Sequence, residues 1–139
     1  AVLHTINGSS FAPRLDFNAL GAGQPALLAV ADFDGDGRTD IATSYISTAL
    51  VSVWRNTGLT GTITSASLST RLDYTAPASS GNGIVATDLD GDSKLDLAVA
   101  HFVLPGLSVL RNRSTSGLLN SSSFSTSLPI QTGSGRQFV

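Results

Sequence analysis

The sequence has no cysteine and no methionine, and it has no glutamate either, since every acidic residue is an aspartate. Without cysteine there are no disulfides, no thiol nucleophile and no thiolate metal site. Glutamate, methionine and lysine are good helix formers, and only Lys94 represents them here. Glycine, serine, threonine, valine and short Leu/Ile/Ala runs dominate instead, a composition of strands joined by turns. No apolar run approaches the roughly 18 residues of a membrane span, and no signal peptide is legible. Because the sequence starts directly at Ala1, removal of a leader stays open. The arginines outside the acidic clusters (Arg14, Arg55, Arg71, Arg111, Arg113 and Arg136) are scattered, so no basic stripe for nucleic acid is expected. With 139 residues and 41% hydrophobic content, the chain can still bury a core of ordinary domain size.

The net charge of −2 hides an uneven distribution. Eight of the ten aspartates sit in two short clusters, Asp32/Asp34/Asp36/Asp40 and Asp88/Asp90/Asp92/Asp96. The clusters are copies. Asp32-Phe-Asp-Gly-Asp-Gly-Arg-Thr-Asp40 recurs 56 residues later as Asp88-Leu-Asp-Gly-Asp-Ser-Lys-Leu-Asp96. At the same shift Trp54-Arg55-Asn56 becomes Leu110-Arg111-Asn112, and Arg14-Leu15-Asp16-Phe17 recurs one residue further on as Arg71-Leu72-Asp73-Tyr74. The pairs Phe11/Leu15, Leu68/Leu72 and Phe124/Leu128 mark the same place three times. A fixed period with several matching landmarks is the signature of a repeat architecture.

Each period predicts four short strands: Leu27 to Ala31, Ile41 to Tyr45, Leu50 to Trp54 and Leu68 to Tyr74 in the first, and Ile84 to Thr87, Leu97 to His101, Leu107 to Leu110 and Phe124 to Ile130 in the second. Four antiparallel strands in about 50 residues describe a propeller blade. The expected fold is all-β, with about two and a half repeats. Residues 1–17 supply the last two strands of a partial blade, 18–74 and 75–130 are blades with one aspartate loop each, and 131–139 start the next blade. Val2 to Thr5 aligns with Val53 to Asn56, and Phe138-Val139 falls in a first strand. Stacked repeats need about three units for stability, so completion by further repeats of the chain or by identical neighbouring subunits is expected.

The spacing D-x-D-G-D-G-x-x-D turns carboxylates at loop positions 1, 3, 5 and 9, and the carbonyl at position 7, toward one point. Hard oxygen donors in that number suit calcium over magnesium or zinc. The expected ligands are Asp32, Asp34, Asp36, the Arg38 carbonyl and Asp40 in the first loop. In the second they are Asp88, Asp90, Asp92, the Lys94 carbonyl and Asp96. Without a cation, like charges about 5 Å apart repel by roughly 0.8 kcal/mol per pair even in water. Of the residues within the loops, only Arg38 and Lys94 offer an offsetting charge. Gly37 stands at the sharp turn of position 6, where a positive φ is expected; its counterpart Ser93 pays about 1 kcal/mol there, so the second calcium site should be the weaker. An EF-hand is a poor alternative, since position 12 is Thr43 or Val99 rather than Glu and the flanks are β-rich.

Val30-Ala-Asp-Phe-Asp-Gly-Asp-Gly-Arg-Thr-Asp-Ile-Ala42 and its copy Ala86 to Ala98 resemble the FG-GAP/VCBS-type repeats of integrin-α-like β-propellers. Val51 to Gly58, Leu107 to Asn112 and Ser10 to Phe17 resemble flanking parts of bacterial tandem versions. The resemblance implies a propeller, commonly seven-bladed, with calcium in the hairpin between the first two strands of each blade. It also implies an extracellular or cell-surface setting and a role in adhesion, glycan binding or scaffolding. Ser93 and the small number of repeats are departures from that pattern.

The remaining candidates are weaker. His4 and His101 are expected in strands, His101 at the repeat position of Tyr45. Ser134 lies in Gly-Ser-Gly without the flanking pattern of a nucleophile elbow. Asp16 and Asp73 are expected to pair with Arg14 and Arg71 rather than to act in glycoside hydrolysis. Tyr45, Trp54 and Tyr74 could stack on sugar, but their strand positions favour packing. Asn7, Asn112 and Asn120 begin sequons and are candidate glycosylation sites, and the Ser/Thr-rich stretch Arg113 to Ser127 is a candidate for O-linked sugar. The expectation is therefore a non-catalytic, extracellular, calcium-binding propeller segment with a structural, assembly or adhesive role. A glycan-binding lectin-like module and an accessory portion of a larger secreted hydrolase are the alternatives.

Overall fold

The computed structural model describes residues 7–8, 10–19, 21–76, 81–101, 106–125 and 129–131. Among them there is no helix, and eight strands form two four-stranded antiparallel sheets. The first sheet is the meander β1 (Pro25–Ala31), β2 (Asp40–Tyr45), β3 (Leu50–Trp54) and β4 (Leu72–Thr75). The second repeats it as β5 (Gly81–Thr87), β6 (Asp96–His101), β7 (Gly106–Leu110) and β8 (Pro129–Gln131). The register carries the repeat faithfully: Ala31 faces Asp40 and Thr87 faces Asp96, so each aspartate loop closes the first hairpin of its sheet. The expected all-β, blade-like fold is the observed one.

The second strand of each sheet lies in the middle of the protein, which its composition permits. In β2 the run Ala42-Thr43-Ser44-Tyr45 is buried throughout, and the small side chains let both flanking layers approach. Burial leaves polar atoms to be satisfied: the Thr43 hydroxyl donates to Leu27 O at 2.8 Å. Tyr45 is fully buried and donates through its hydroxyl to Ser52 Oγ at 2.9 Å, and Ser52 donates on to Asp73 at 2.5 Å. The second sheet keeps two members of this chain, His101 Nε2 and Ser108 Oγ at 2.7 Å. The counterpart of Asp73 is Pro129, so the third member is lost.

The fourth strand departs from the expected run of Leu68 to Tyr74. Leu68 makes only an isolated bridge to Asn56, and the ladder resumes at Leu72. In the gap the Ser69 hydroxyl accepts from Arg55 N at 3.1 Å, where a backbone carbonyl would otherwise serve. Ser125 does the same for Arg111 N at 3.2 Å; in the second sheet the described ladder is Pro129–Gln131, and residues 126–128 of the expected Phe124 to Ile130 run lie outside the described residues. In the first sheet this side-chain substitution accompanies the shortened fourth strand.

One core joins the two sheets. Ala29, Phe33, Val51, Val53 and Tyr74 of the first repeat pack with Ile84, Leu97, Val99, Leu110 and Phe124 of the second. Phe124 sits edge-on to both Phe33 and Tyr74, with ring centroids 5.6 Å and 5.2 Å apart. Tyr74 also donates its hydroxyl to Asn120 O at 2.5 Å, and its burial raises the phenol pKa to about 12.

Residues 10–19 form no strand, and Phe11, Leu15 and Phe17 are exposed. The strand expected at Val2 to Thr5, together with His4, Ser134 and 132–139, lies outside the described residues.

Candidate metal centres in the two aspartate loops

Each loop is built around two aspartates that bind its own backbone. Asp32 accepts from Asp36 N at 3.1 Å and Gly37 N at 2.8 Å, curling the loop onto its first carboxylate. Asp88 does this through Gly91 N at 2.8 Å and Ser93 N at 2.9 Å. The Gly91 N–H, with smaller help from Ser93, Asp92 and Asp90, holds the Asp88 pKa below the ordinary carboxylate value. At the other end Asp40 accepts from Phe33 N at 2.9 Å and Asn56 N at 2.7 Å, and Asp96 from Leu89 N at 3.1 Å and Asn112 N at 2.8 Å. The ninth position therefore ties the loop to the strand after next. Burial pushes the Asp40 carboxyl up to about 6 against the pull of those two N–H groups, with the Asp34 and Asp36 charges adding to the rise.

The curl gathers oxygens. Asp32, Asp34 and Asp40 each offer a carboxylate oxygen within 4.8 Å of the others, and Asp88, Asp90 and Asp96 do the same. Calcium–oxygen distances of about 2.3–2.6 Å put opposed ligands about 4.6–5.2 Å apart, so a calcium ion fits between such oxygens. In the first loop Asp34 is 2% exposed, and its Oδ1 has no hydrogen-bond partner. A buried carboxylate oxygen left without a donor is a costly arrangement that a bound cation would resolve. The sixth position behaves as expected: Gly37 has φ 83° and Ser93 has φ 66°, the latter the lone non-glycine with positive φ among the described residues.

Asp36 and Asp92, expected as ligands at the fifth position, stand outside these groups of three. Asp36 is held by Arg38 Nη2 at 2.5 Å and Arg55 Nη2 at 2.6 Å. Burial opposes its charge, yet the Arg38 backbone N–H and the Arg38 and Arg55 guanidinium groups outweigh that and lower its pKa. Arg55 Nε also reaches Asp34 Oδ2 at 2.5 Å, a hydrogen bond that raises the arginine pKa further. In the second loop Arg111 pairs with Asp90 through Nε and with Asp92 through Nη2 at 3.2 Å. Within the loops themselves the sequence offers only Arg38 and Lys94 to offset the aspartates. The signal for the larger role of Arg55 and Arg111 was present in their recurrence at the loop's own 56-residue shift. Lys94 turns away to Ser114 O at 2.7 Å. Four carboxylates against Arg38 and Arg55 leave the first loop a formal charge of −2, and in the second, where Arg111 alone pairs with the carboxylates, the balance is −3.

The other candidate residues separate clearly. Tyr45, Trp54 and Tyr74 are buried in the sheets, away from any sugar. Arg14 pairs with Asp16 at 3.1 Å and Arg71 with Asp73 at 2.9 Å. His101 is buried, which lowers its pKa, and its Nδ1 has no partner. Asn7 and Asn120 are exposed. Asn112 is corrected: it is 1% exposed, and its amide donates to Phe33 O and Leu95 O, which removes it as a glycosylation site.

No helix among the described residues is long and apolar enough to cross a membrane. Comparison with known families gave a match over residues 32–99 to the family described as FG-GAP-like repeat. Neither the curated proteins nor the solved structures gave a match.

Proposed function

We infer from the match of residues 32–99 to the FG-GAP-like repeat family that the chain is a calcium-stabilised segment of a propeller-type protein, without catalytic function, that works outside the cell as a scaffold or adhesive surface. The observation that carries the calcium reading is the convergence of three carboxylate oxygens within 4.8 Å in both loops, with a buried, unpartnered Asp34 oxygen in the first. Asp32, Asp34 and Asp40 would hold one ion and Asp88, Asp90 and Asp96 the other. Asp36, Asp92 and the Arg38 and Lys94 carbonyls are the further oxygens within reach of the loop sequence. The ion would supply the positive charge that links the end of one strand to the start of the next.

The ion's role is structural on this reading. Extracellular calcium modules bind at about 0.1–1 mM. At ~1 mM free calcium a site of ~0.1 mM gains about 1.4 kcal/mol. Two such sites contribute roughly 3 kcal/mol, a large part of a stability of about 5–15 kcal/mol. On this reading the setting is extracellular, because sites of that assumed affinity would fill where free calcium is millimolar. The test is calorimetric titration of chelator-treated protein with calcium. Two binding events are expected, with Asp34→Asn removing one and Asp90→Asn the other. No binding at millimolar calcium, or binding untouched by both substitutions, contradicts the reading.

A further inference from the structure

The sequon Asn112-Arg-Ser114, buried and so removed as a glycosylation site, lies between the two aspartate loops and bonds to both. Asn112 and Ser114 are 1% and 4% exposed. Toward the second loop, the Asn112 backbone N–H donates to Asp96 Oδ1 at 2.8 Å, and its Nδ2 donates to Leu95 O at 3.0 Å. Lys94 Nζ adds a bond to Ser114 O at 2.7 Å. Toward the first loop, Asn112 Nδ2 donates to Phe33 O at 2.9 Å, and Ser114 Oγ donates to the same carbonyl at 2.7 Å. Asn112 Oδ1 accepts from Ser114 N at 2.9 Å. Both amide hydrogens and the amide oxygen are therefore spent, and one orientation of the side chain satisfies them all.

Phe33 carries the contact into the first candidate site. It stands between Asp32 and Asp34, and its own N–H donates to Asp40 Oδ2 at 2.9 Å. Three hydrogen bonds thus lead from Asp96, the ninth position of the second loop, through Asn112 and Phe33 to Asp40, the ninth position of the first. The same connector holds two more carbonyls of the first loop: Asp34 O accepts from Gly117 N at 2.8 Å, and Gly35 O from Ser116 Oγ at 3.3 Å. The grip of a loop on its asparagine is built twice, since Asn56 repeats the bonds to Asp40, Thr39 O and Gly58 N at 2.7, 3.0 and 2.9 Å. The second copy adds the hydroxyl of Ser114, where the first has Gly58.

We propose that Asn112 and Ser114 are positioning residues that couple the two aspartate loops, so that a divalent cation in one tightens the other. The inference rests on the calcium reading of the loops. An ion in the second loop fixes Asp96 with Lys94 and Leu95 beside it, and through them the donors of Asn112 and Ser114. A first loop that meets donors already in place has less ordering left to do when its own ion arrives, which is positive coupling. Linkage makes the effect equal in both directions, and factors of about 5–150 are usual for such coupling. Charge alone acts with the opposite sign, since an ion in one loop repels an ion in the other. The sign of the effect therefore identifies its route.

The test is calorimetric titration with calcium of the parent and of the two single-site variants, Asp34→Asn and Asp90→Asn. The product of the two parent affinities should exceed the product of the single-site affinities by about fivefold or more. With Ser114→Ala added to all three chains the excess should shrink, and Lys94→Met should shrink it from the other end of the network. Each takes away one hydrogen-bonding group, and circular dichroism checks that the fold survives. A second readout is the Gly117 amide of the Asp34→Asn chain, whose hydrogen exchange should slow several-fold when calcium fills the second loop. Affinities that multiply independently, an excess untouched by both substitutions, or a Gly117 amide indifferent to calcium would overturn the proposal and leave the calcium reading standing. A chain that binds no calcium at either loop would overturn both.

Discussion

The two aspartate loops share their four aspartates and the glycine at position 4, and they have different surroundings. The first is covered by the connector of the second sheet: Phe33 and Asp34 are 2% exposed, and three successive carbonyls, of Phe33, Asp34 and Gly35, accept bonds from Ser114, Gly117 and Ser116. The second presents Leu89 and Asp90 to solvent. Arg55, half-buried at 22%, pairs with carboxylates that are 0% and 9% exposed, whereas Arg111 is 50% exposed over carboxylates at 35% and 29%. A motif therefore fixes a loop's shape, while the neighbour across the interface fixes how strongly its charges are felt.

The largest difference between the loops should appear at their second positions. Phe33→Ala empties a buried, aromatic-lined site and is expected to cost about 3–5 kcal/mol. Leu89→Ala, at an exposed side chain, should stay within about 0.5 kcal/mol. Denaturant titration of both variants reads the contrast directly, and equal losses would break it.

Next come the arginines. Arg55→Ala leaves Asp34 buried without its counter-charge, and the chelated protein should lose roughly 3 kcal/mol. Arg111→Ala removes a solvent-exposed pair and should cost less than about 1 kcal/mol. Added calcium should narrow the gap by supplying charge at the first loop, which thermal melts with and without chelator would measure.

The sixth positions give a smaller effect. Ser93→Gly relieves a left-handed serine and should stabilise the chain by about 0.5–1 kcal/mol, while Gly37→Ser should destabilise it by a similar amount. Because Ser93 holds φ 66° before any ion binds, the stability gain should appear with and without calcium, in denaturant titrations with and without chelator.

The smallest expected effect is a pH dependence in which the sheets differ through Tyr45 and His101. Burial depresses the His101 pKa in the folded state. The unfolded chain then takes up the proton first, so the stabilising contribution is complete above the unfolded value of about 6.5 and is lost as pH falls toward the folded value. His101→Tyr should remove this part of the slope between neutral and mildly acidic pH. Parallel stability profiles for parent and variant would remove His101 as the source.

The repeat, the strand order and the positive φ at Ser93 were legible because they depend on local pattern: turn chemistry, apolar runs and a loop that closes on its own first carboxylate. Three features were not, each for a tertiary reason. The pairing of Arg55 with Asp34 crosses 21 residues of chain and needs the β2–β3 hairpin to bring them together. The shortened fourth strand of the first sheet goes with a serine hydroxyl intruding in the ladder, which β propensity does not encode. The burial of Asn112 is set by Phe33 O, 79 residues away, so a sequon that reads as surface in sequence lies within an interface.

The central claim is that each aspartate loop holds a divalent cation that locks its hairpin. The most direct measurement is the thermal midpoint of the chelator-treated chain before and after restoring millimolar calcium. Two filled sites worth roughly 3 kcal/mol predict an upward shift of about 10 °C for a chain of this size. Superimposable transitions under the two conditions would contradict it.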